Sequence, residues 1–231
     1  MFSNFDFDVI QRSWVYLFTT GLKFTLILTF SAMLGGIILG TLLAMMRLSS
    51  NKPLSFIATT YVNLIRSIPL VLVIFWFYFL VPFIGAWIIG ASEPIQVGAF
   101  QSALITFILF EAAYYCEIMR SGIQSIPRGQ VFAGYAIGMN YWQMMGNVVL
   151  PQAFRNMTPI LLTQTIVLFQ DVSLVYVLGS VPDFVTSASK IAQRDGRLVE
   201  MYLFVAVVYF VLSFGLSQLV KRFQKKIAII R

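Results

Sequence analysis

The chain has 231 residues, of which 59% are hydrophobic and 11% are charged, and its formal net charge is +7. So little polar surface excludes an ordinary soluble domain and indicates an integral membrane protein, whose basic residues gather at the membrane rather than on nucleic acid. The absence of histidine and the single cysteine, Cys116, argue against metal sites, histidine-dependent catalysis and an internal disulfide.

Five runs of the sequence are long and apolar enough to span a membrane, which takes about 20 residues. Before the first run, residues 1–16 carry Asp6 and Asp8 against Arg12, the reverse of the basic start of a signal peptide. We therefore predict an all-α membrane protein with five transmembrane helices. In chain order the predicted spans cover residues 17–46, 60–85, 97–118, 151–178 and 201–220.

The first span carries a stripe of small residues, in which Ala32, Gly36, Gly40 and Ala44 recur every four positions. Residues at this spacing share one face of a helix, and small side chains let another helix approach closely. The stripe predicts helix packing rather than phosphate binding, because its glycines lack the accompanying lysine of a phosphate-binding loop.

The loop over residues 121–150, between the third and fourth spans, is too polar to cross a membrane and predicts a helical hairpin. Gly138 is a natural C-terminal breaker, and Asn140 can cap a second short helix with Gln143. One face of that helix then carries Tyr141, Met144, Met145 and Val148. Such side chains suit an adaptable protein contact, although an interfacial helix lying in lipid headgroups has the same pattern.

The distribution of Lys and Arg residues predicts how the chain is oriented in the membrane. If the C-terminus is cytoplasmic, ten of the sixteen Lys and Arg residues lie inside and four lie outside, in agreement with the positive-inside rule. Residues 1–16 are then periplasmic, the 121–150 loop is cytoplasmic, and residues 221–231 form a basic tail at anionic headgroups. The loop over residues 182–200 is periplasmic, and its mixed charge suits either docking of a partner or a plain solvated loop.

The 121–150 loop resembles the cytoplasmic loop of ATP-binding-cassette (ABC) importer permeases, which reads E-A-A, three residues, G, nine residues, I, one residue, L-P. Here the triplet is Phe132-Ala133-Gly134, the glycine is Gly138, Val148 replaces isoleucine and Leu150-Pro151 ends the motif. Because Phe132 replaces the acidic residue, we expect apolar contact with the ATPase and weak salt dependence. The expected contact residues are Gly129, Gln130, Phe132, Ala133, Gly138, Tyr141, Met144, Met145, Leu150 and Pro151.

A literal Glu111-Ala112-Ala113 triplet also occurs, but it lies in an apolar span without a glycine at the required distance and is a decoy. The resemblance covers nearly the whole chain and is most specific to the polar-amino-acid branch, especially the glutamate/aspartate importers of Gram-negative bacteria. The matching stretches are 61–70, 112–123, 150–155 and 170–174.

This resemblance implies a type I ABC importer permease domain over residues 17–220, placed in the bacterial inner membrane. It implies a transport subunit rather than an enzyme, with no cofactor bound by this chain, because a separate ATPase binds ATP and Mg. The implied partners are a second, related permease subunit, two cytoplasmic ATPase subunits, a periplasmic solute-binding protein and membrane lipid.

Polar residues of the fourth span predict a substrate path. A charged residue at the centre of a span costs about 2.5 to 3.5 kcal/mol on insertion scales, so Asp171 should line a wet cavity or have a partner. Gln164 shares its helical face, and Gln170 and Ser173 lie nearby. The Asp171 carboxylate would hold a substrate ammonium while the amides meet the substrate's carboxylates, although an ion pair or a polar clamp between helices is equally consistent. Arg66 either pairs with an acidic substrate or marks the cytoplasmic end of the second span.

Two alternatives remain within transport: a permease for another polar amino acid such as glutamine, and an ion-coupled secondary transporter. Five spans without an inverted repeat are few for a secondary transporter. An intramembrane protease would need two facing aspartates or a Ser-His pair. The chain has no histidine, and Asp171 is the only aspartate within a predicted span.

Overall fold

The computed structural model of the protein describes residues 5–227, with side chains to residue 225, and this part of the chain is helical without any strand. Five of its helices, α1, α3, α4, α6 and α8, are long and apolar enough to span a membrane, which confirms the predicted fold class and span number. The helices are α1 (Asp8–Arg47), α2 (Lys52–Arg66), α3 (Leu70–Ile89), α4 (Ala99–Gln124), α5 (Arg128–Ala136), α6 (Tyr141–Leu178), α7 (Phe184–Asp195) and α8 (Leu198–Ile227).

Several predicted bounds are wrong by a few residues because helices extend beyond their apolar cores. The first span begins within residues 1–16, at Asp8, and the third continues to Gln124. Helix α8 incorporates residues 221–227 of the predicted tail, whose remaining part, including Arg231, lies outside the described residues.

Pro69 divides the second predicted span. The sequence predicts one run over residues 60–85, but α2 ends at Arg66 and α3 begins at Leu70. Proline has no amide hydrogen to donate into the preceding turn, and it disfavours helical backbone at the residue before it. Ser67 closes α2 with its hydroxyl, which donates to the Asn63 carbonyl at 2.7 Å.

Pro151 does not begin a helix, contrary to the prediction. Helix α6 starts at Tyr141 and passes through a π-helical turn, Met145–Val149, before it reaches the proline. A π turn shifts the hydrogen-bonding pattern, so the missing amide hydrogen of Pro151 is accommodated without a break. The second short helix of the predicted hairpin is therefore the first turn of the fourth span.

The helices pack as two compact units, whose boundaries lie inside α1, α4, α6 and α8. The first unit contains residues up to Met33, Pro69–Phe107 and Thr165–Leu219. The second unit contains Leu34–Ile68, Ile108–Gln164 and the residues from Val220 onward.

Helix α7 organises the core of the first unit, where the sequence predicts a loop. The buried Asp183 caps α7, since its carboxylate accepts hydrogen bonds from the amides of Val185 and Thr186. A Cβ atom built at Gly21 would lie 3.0 Å from the Cα of Phe184, so glycine allows α1 to meet α7. The shared core consists of Val9, Leu17, Leu22, Phe169, Phe184, Ala188, Ile191, Ala192, Met201 and Val205.

The part of the predicted stripe from Gly36 to Ala44 packs within the second unit. A Cβ atom built at Gly36 would lie 3.0 Å from the Tyr115 ring. At Gly40 it would lie 2.9 Å from the Ala112 carbonyl oxygen. These distances confirm that the stripe lets α1 approach α4 closely.

Candidate functional site

The hairpin, defined here as residues 128–150, turns through Gly138. Its φ of 83° is in the left-handed region, which L-residues other than glycine rarely adopt. Gly138 donates its amide to the Tyr135 carbonyl at 3.0 Å, and Met139 donates to the Gly134 carbonyl at 3.1 Å. These two bonds form a Schellman motif and confirm the predicted breaker.

The predicted cap of the second helical turn is also present. Asn140 accepts a hydrogen bond from the Gln143 amide at 2.9 Å, and the Asn140 amide donates to Gln143 Oε1 at 2.9 Å. This reciprocal capping box satisfies two donors that the start of a helix otherwise leaves free. The turn and the cap together fix the direction in which α6 leaves the hairpin.

Met144 and Met145 face inward, which corrects their expected role as contact residues. They are 4% and 5% exposed and pack against Ile126 and Val149. Gly134 makes room for this packing, because a Cβ there would lie 3.3 Å from Met144. The two methionines therefore hold the hairpin against the start of α6 instead of facing a partner.

The outer face of the hairpin is apolar and exposed. Phe132 is 65% exposed, as expected for a contact residue, but Ile137 and Trp142 are more exposed at 75% and 71%. The contact residues expected from the sequence do not include Ile137 and Trp142. Among the other expected contact residues, Leu150 is half-buried. The exposed ones are Gly129, Gln130, Ala133, Gly138, Tyr141 and Pro151.

A polar contact ties the two limbs of the hairpin together. Gln152 Nε2 donates to Gln130 Oε1 at 2.6 Å and to the Val148 carbonyl at 2.8 Å. Gln130 belongs to α5, and Gln152 lies in α6 directly after Pro151. This hydrogen bond links α5 to α6.

In the second unit, the predicted path residue Gln164 contacts a buried carboxylate. Gln164 Nε2 lies 3.1 Å from Glu111 Oε2 and 3.4 Å from Glu111 Oε1. Glu111 is fully buried, and a Cβ atom built at Gly36 would lie 3.2 Å from its Cβ. In the sequence Glu111 belongs to the decoy triplet, and the hydrogen bond between Gln164 and Glu111 was not predicted.

Asp171 ends the α-helical part of α6, where the helix tightens into a 3-10 segment over Val172–Leu178. Its side chain is half-buried, and the carboxylate has no oppositely charged partner among residues 5–225. A carboxylate in this state can accept an ammonium group from outside the chain.

Gln170 and Ser173 lie apart from these contacts, in a groove of about 410 Å³ between α6 and α8. Helix α8 contributes polar residues to the groove, among them Ser213 and Ser217. Ser213 is 7% exposed, and its hydroxyl has no hydrogen-bond partner among the described residues. The groove is lined further by Tyr209, Phe210 and Phe214.

Arg66 belongs to an ion-pair cluster around Glu117. Glu117 Oε1 accepts from Arg47 at 2.5 Å and Oε2 from Arg120 at 2.8 Å, whereas Arg66 lies 3.3 Å from Oε1. The Arg66 guanidinium also stands 5.4 Å from the centre of the Tyr114 ring, and the side chain is 42% exposed. Three guanidinium groups share one carboxylate, so the cluster has surplus positive charge and surplus donors.

A second charged cluster lies where the sequence predicts a charged periplasmic loop. Asp195 pairs with Arg194 at 2.8 Å and with Arg12 at 3.1 Å. The hydrogen bond from Arg194 holds the pKa of Asp195 below its usual value, and Arg12 adds to this effect. At the start of α7, burial raises the pKa of Asp183, against the opposing hydrogen bonds from Thr186 and Val185.

Known proteins resemble this chain over almost its full length. The family of binding-protein-dependent transport system inner membrane components matches residues 36–229. The glutamate/aspartate import permease protein GltK of Escherichia coli O157:H7 is 52% identical over 225 residues, which are 97% of this chain and 99% of GltK. The probable glutamine ABC transporter permease protein GlnM of Bacillus subtilis is 32% identical over 90% of this chain and 94% of its own.

A solved structure of an amino acid ABC transporter with histidines has the same fold. It superimposes with a TM-score of 0.80 at 31% sequence identity, and the match covers 98% of this chain and 100% of that one. The match therefore covers nearly all of both chains.

Proposed function

The chain belongs to the binding-protein-dependent transport system inner membrane components, and we propose that it carries glutamate and aspartate across the bacterial inner membrane as part of an ATP-driven importer. The single observation that carries the choice of substrate is the 52% identity with GltK over 97% of the chain. The glutamine-related protein GlnM is only 32% identical and favours glutamine correspondingly less. Family membership makes the chain a multi-pass transport subunit and not an enzyme, because ATP hydrolysis belongs to a separate subunit.

We assign the hairpin as the contact for a cytoplasmic ATPase. Its support is the exposed apolar face around Phe132, Ile137 and Trp142, on a backbone that the Gly138 turn and the Asn140 cap make rigid. Aromatic side chains with few rotatable bonds suit the centre of a protein interface. With the hairpin on the cytoplasmic side, the proposed topology has a periplasmic N-terminus and a cytoplasmic C-terminus.

The hairpin then acts as a lever on the fourth span. Since α6 runs without a break from Tyr141 through Pro151 to Gln164, a movement of the hairpin would shift this part of the helix. Gln130 and Gln152 couple the other limb to the same movement. Closure of two ATPase subunits on ATP would favour one arrangement of α6, and their opening after hydrolysis would favour the other.

The proposed path residues include groups that suit each charged part of an amino acid. Asp171 suits an ammonium group, and so does the amide oxygen of Gln164. Arg66 suits a carboxylate, because Arg47 and Arg120 already donate to both oxygens of Glu117 and leave Arg66 with free donors. Replacing Asp171 with Asn should lower uptake without lowering the amount of inserted protein, and unchanged uptake kinetics would remove Asp171 from the path.

The groove between α6 and α8 fits a transmembrane helix of a second permease subunit. Gln170 and Ser173 line this groove, and lipid tails offer them no hydrogen-bond partner, so contact with another protein chain is favoured there. The neighbouring charged surface of α7, with Arg12, Lys190 and Arg194 around a further groove, suits a periplasmic binding protein.

Co-purification tests the proposed function against an ion-coupled secondary transporter. The tagged chain, expressed with its neighbouring genes, should retain a cytoplasmic ATPase and a second permease in detergent. Proteoliposomes of that complex should take up substrate when ATP is enclosed. Uptake driven by an ion gradient without ATP would contradict the proposal.

A further inference from the structure

Glu111 has no part in the proposed path, yet it is the residue that Gln164 contacts. We infer that Glu111 is a positioning residue, which turns the Gln164 amide so that its oxygen faces the substrate and recognises the ammonium group. The inference rests on the proposed function, since it assumes that the face of α6 with Gln164 lines the path.

The orientation of the amide follows from donors and acceptors. An ionised carboxylate only accepts hydrogen bonds, whereas a glutamine amide has a donor side and an acceptor side. Gln164 lies within 3.1 Å of Glu111 Oε2, so the NH2 group must face Glu111. The carbonyl oxygen, on the other arm of the same planar amide, is then directed away from it.

Packing keeps this arrangement in place. Glu111 is fully buried, and the close approach of Gly36 leaves its side chain little freedom. Gln164 is half-buried, so part of its side chain remains accessible. Because the amide oxygen is an acceptor, it attracts an ammonium group and disfavours a carboxylate. The substrate carboxylates are then recognised elsewhere.

The inference predicts an effect on one chemical group of the substrate. Glu111→Gln preserves the shape but lets the Gln164 amide rotate and present its NH2 group. The double variant Glu111→Gln/Gln164→Glu restores a donor-acceptor pair with an acceptor towards the substrate. The matched control Glu93→Gln removes an exposed loop carboxylate and should change nothing.

The test is competition for labelled glutamate on the purified permease-ATPase complex. Two competitors are compared: unlabelled glutamate, and glutarate, which lacks only the ammonium group. Loss of one hydrogen bond to a charged group corresponds to about a tenfold change, so Glu111→Gln should lower the preference for glutamate over glutarate by about tenfold. The double variant should restore the preference, and the amount of complex should stay constant.

The outcomes separate this inference from the proposed function. The inference is overturned if Glu111→Gln weakens binding of glutamate and glutarate equally, because Glu111 then has a merely structural role. It is also overturned if the double variant has the same preference as the single variant. Gln164→Ala reports on the path itself. If Gln164→Ala keeps the full preference, or if the wild-type complex binds no glutamate, then the proposed path fails and the inference with it.

Discussion

Replacement of Gly138 by valine tests whether the hairpin transmits work from an ATPase. The backbone at Gly138 has a φ of 83°, where an L-residue costs about 1 to 2 kcal/mol, and valine, being β-branched, is at the upper end. Opening the turn instead loses two hydrogen bonds, to Tyr135 and Gly134, each of about 1 kcal/mol. The strain and the lost hydrogen bonds offset each other at about 2 kcal/mol each, so about half of the variant molecules keep the closed turn and the apparent affinity for the ATPase should fall by about twofold.

The assay titrates the ATPase subunit onto the tagged permease in detergent and measures the retained fraction and the stimulated ATP hydrolysis. Gly146→Val is the matched control, because Gly146 lies in the same hairpin with an ordinary φ, has no atom within 4 Å of a built Cβ and is not an expected contact residue. The control should bind normally. Equal binding by the two variants, both inserted normally, would refute the role of this turn.

Three further predictions concern the hairpin surface, the packing and the pH dependence. Trp142→Ser should weaken retention of the ATPase, and retention by the wild type should change little between low and high salt, because the contact is apolar. Gly40→Val should lower the melting temperature strongly, since its Cβ would meet the Ala112 carbonyl, whereas Gly215→Val, in open space, should not. The contacts with Arg194 and Arg12 that lower the pKa of Asp195 stabilise the fold while its carboxylate is ionised. This stabilisation is fully present above about pH 3.9, the usual pKa of aspartate, and is lost as the pH falls through the lowered pKa. Melting curves of wild type and Asp195→Asn should therefore converge in acid, and a constant gap would contradict the ion pair.

Local chemistry made the turn of the hairpin predictable from the sequence. A glycine at the end of a short helix and an Asn-x-x-Gln cap act within a few residues, so Gly138 and Asn140 could be assigned without the fold. The stripe with Gly36 and Gly40 was predictable for a similar reason, because spacing along one helix determines which residues share a face.

Contacts between distant segments could not be predicted in this way. Met144 and Met145 have the spacing of an exposed face, but Ile126 and Val149 cover them. Glu111 meets Gln164 across 53 residues of sequence, and no local pattern marks such a pair. The charged segment containing α7 resembled a loop, although its cap at Asp183 and its apolar residues at helical spacing were visible in the sequence.

The boundaries of the second and fourth spans show that proline does not by itself determine where a helix ends. Pro69 breaks a continuous apolar run, while Pro151 is carried inside a helix by the π turn before it. The sequence supplies a proline in both places. Whether a helix stops or continues depends on the neighbouring turn and on what packs against it.

The most direct test of the central claim is ATP-dependent uptake of labelled glutamate by the complete complex in proteoliposomes, with liganded binding protein outside and ATP inside. The proposed function predicts uptake that requires ATP and is suppressed by excess unlabelled aspartate but not by glutamine. Uptake without ATP, or suppression by glutamine as strong as that by aspartate, would contradict it.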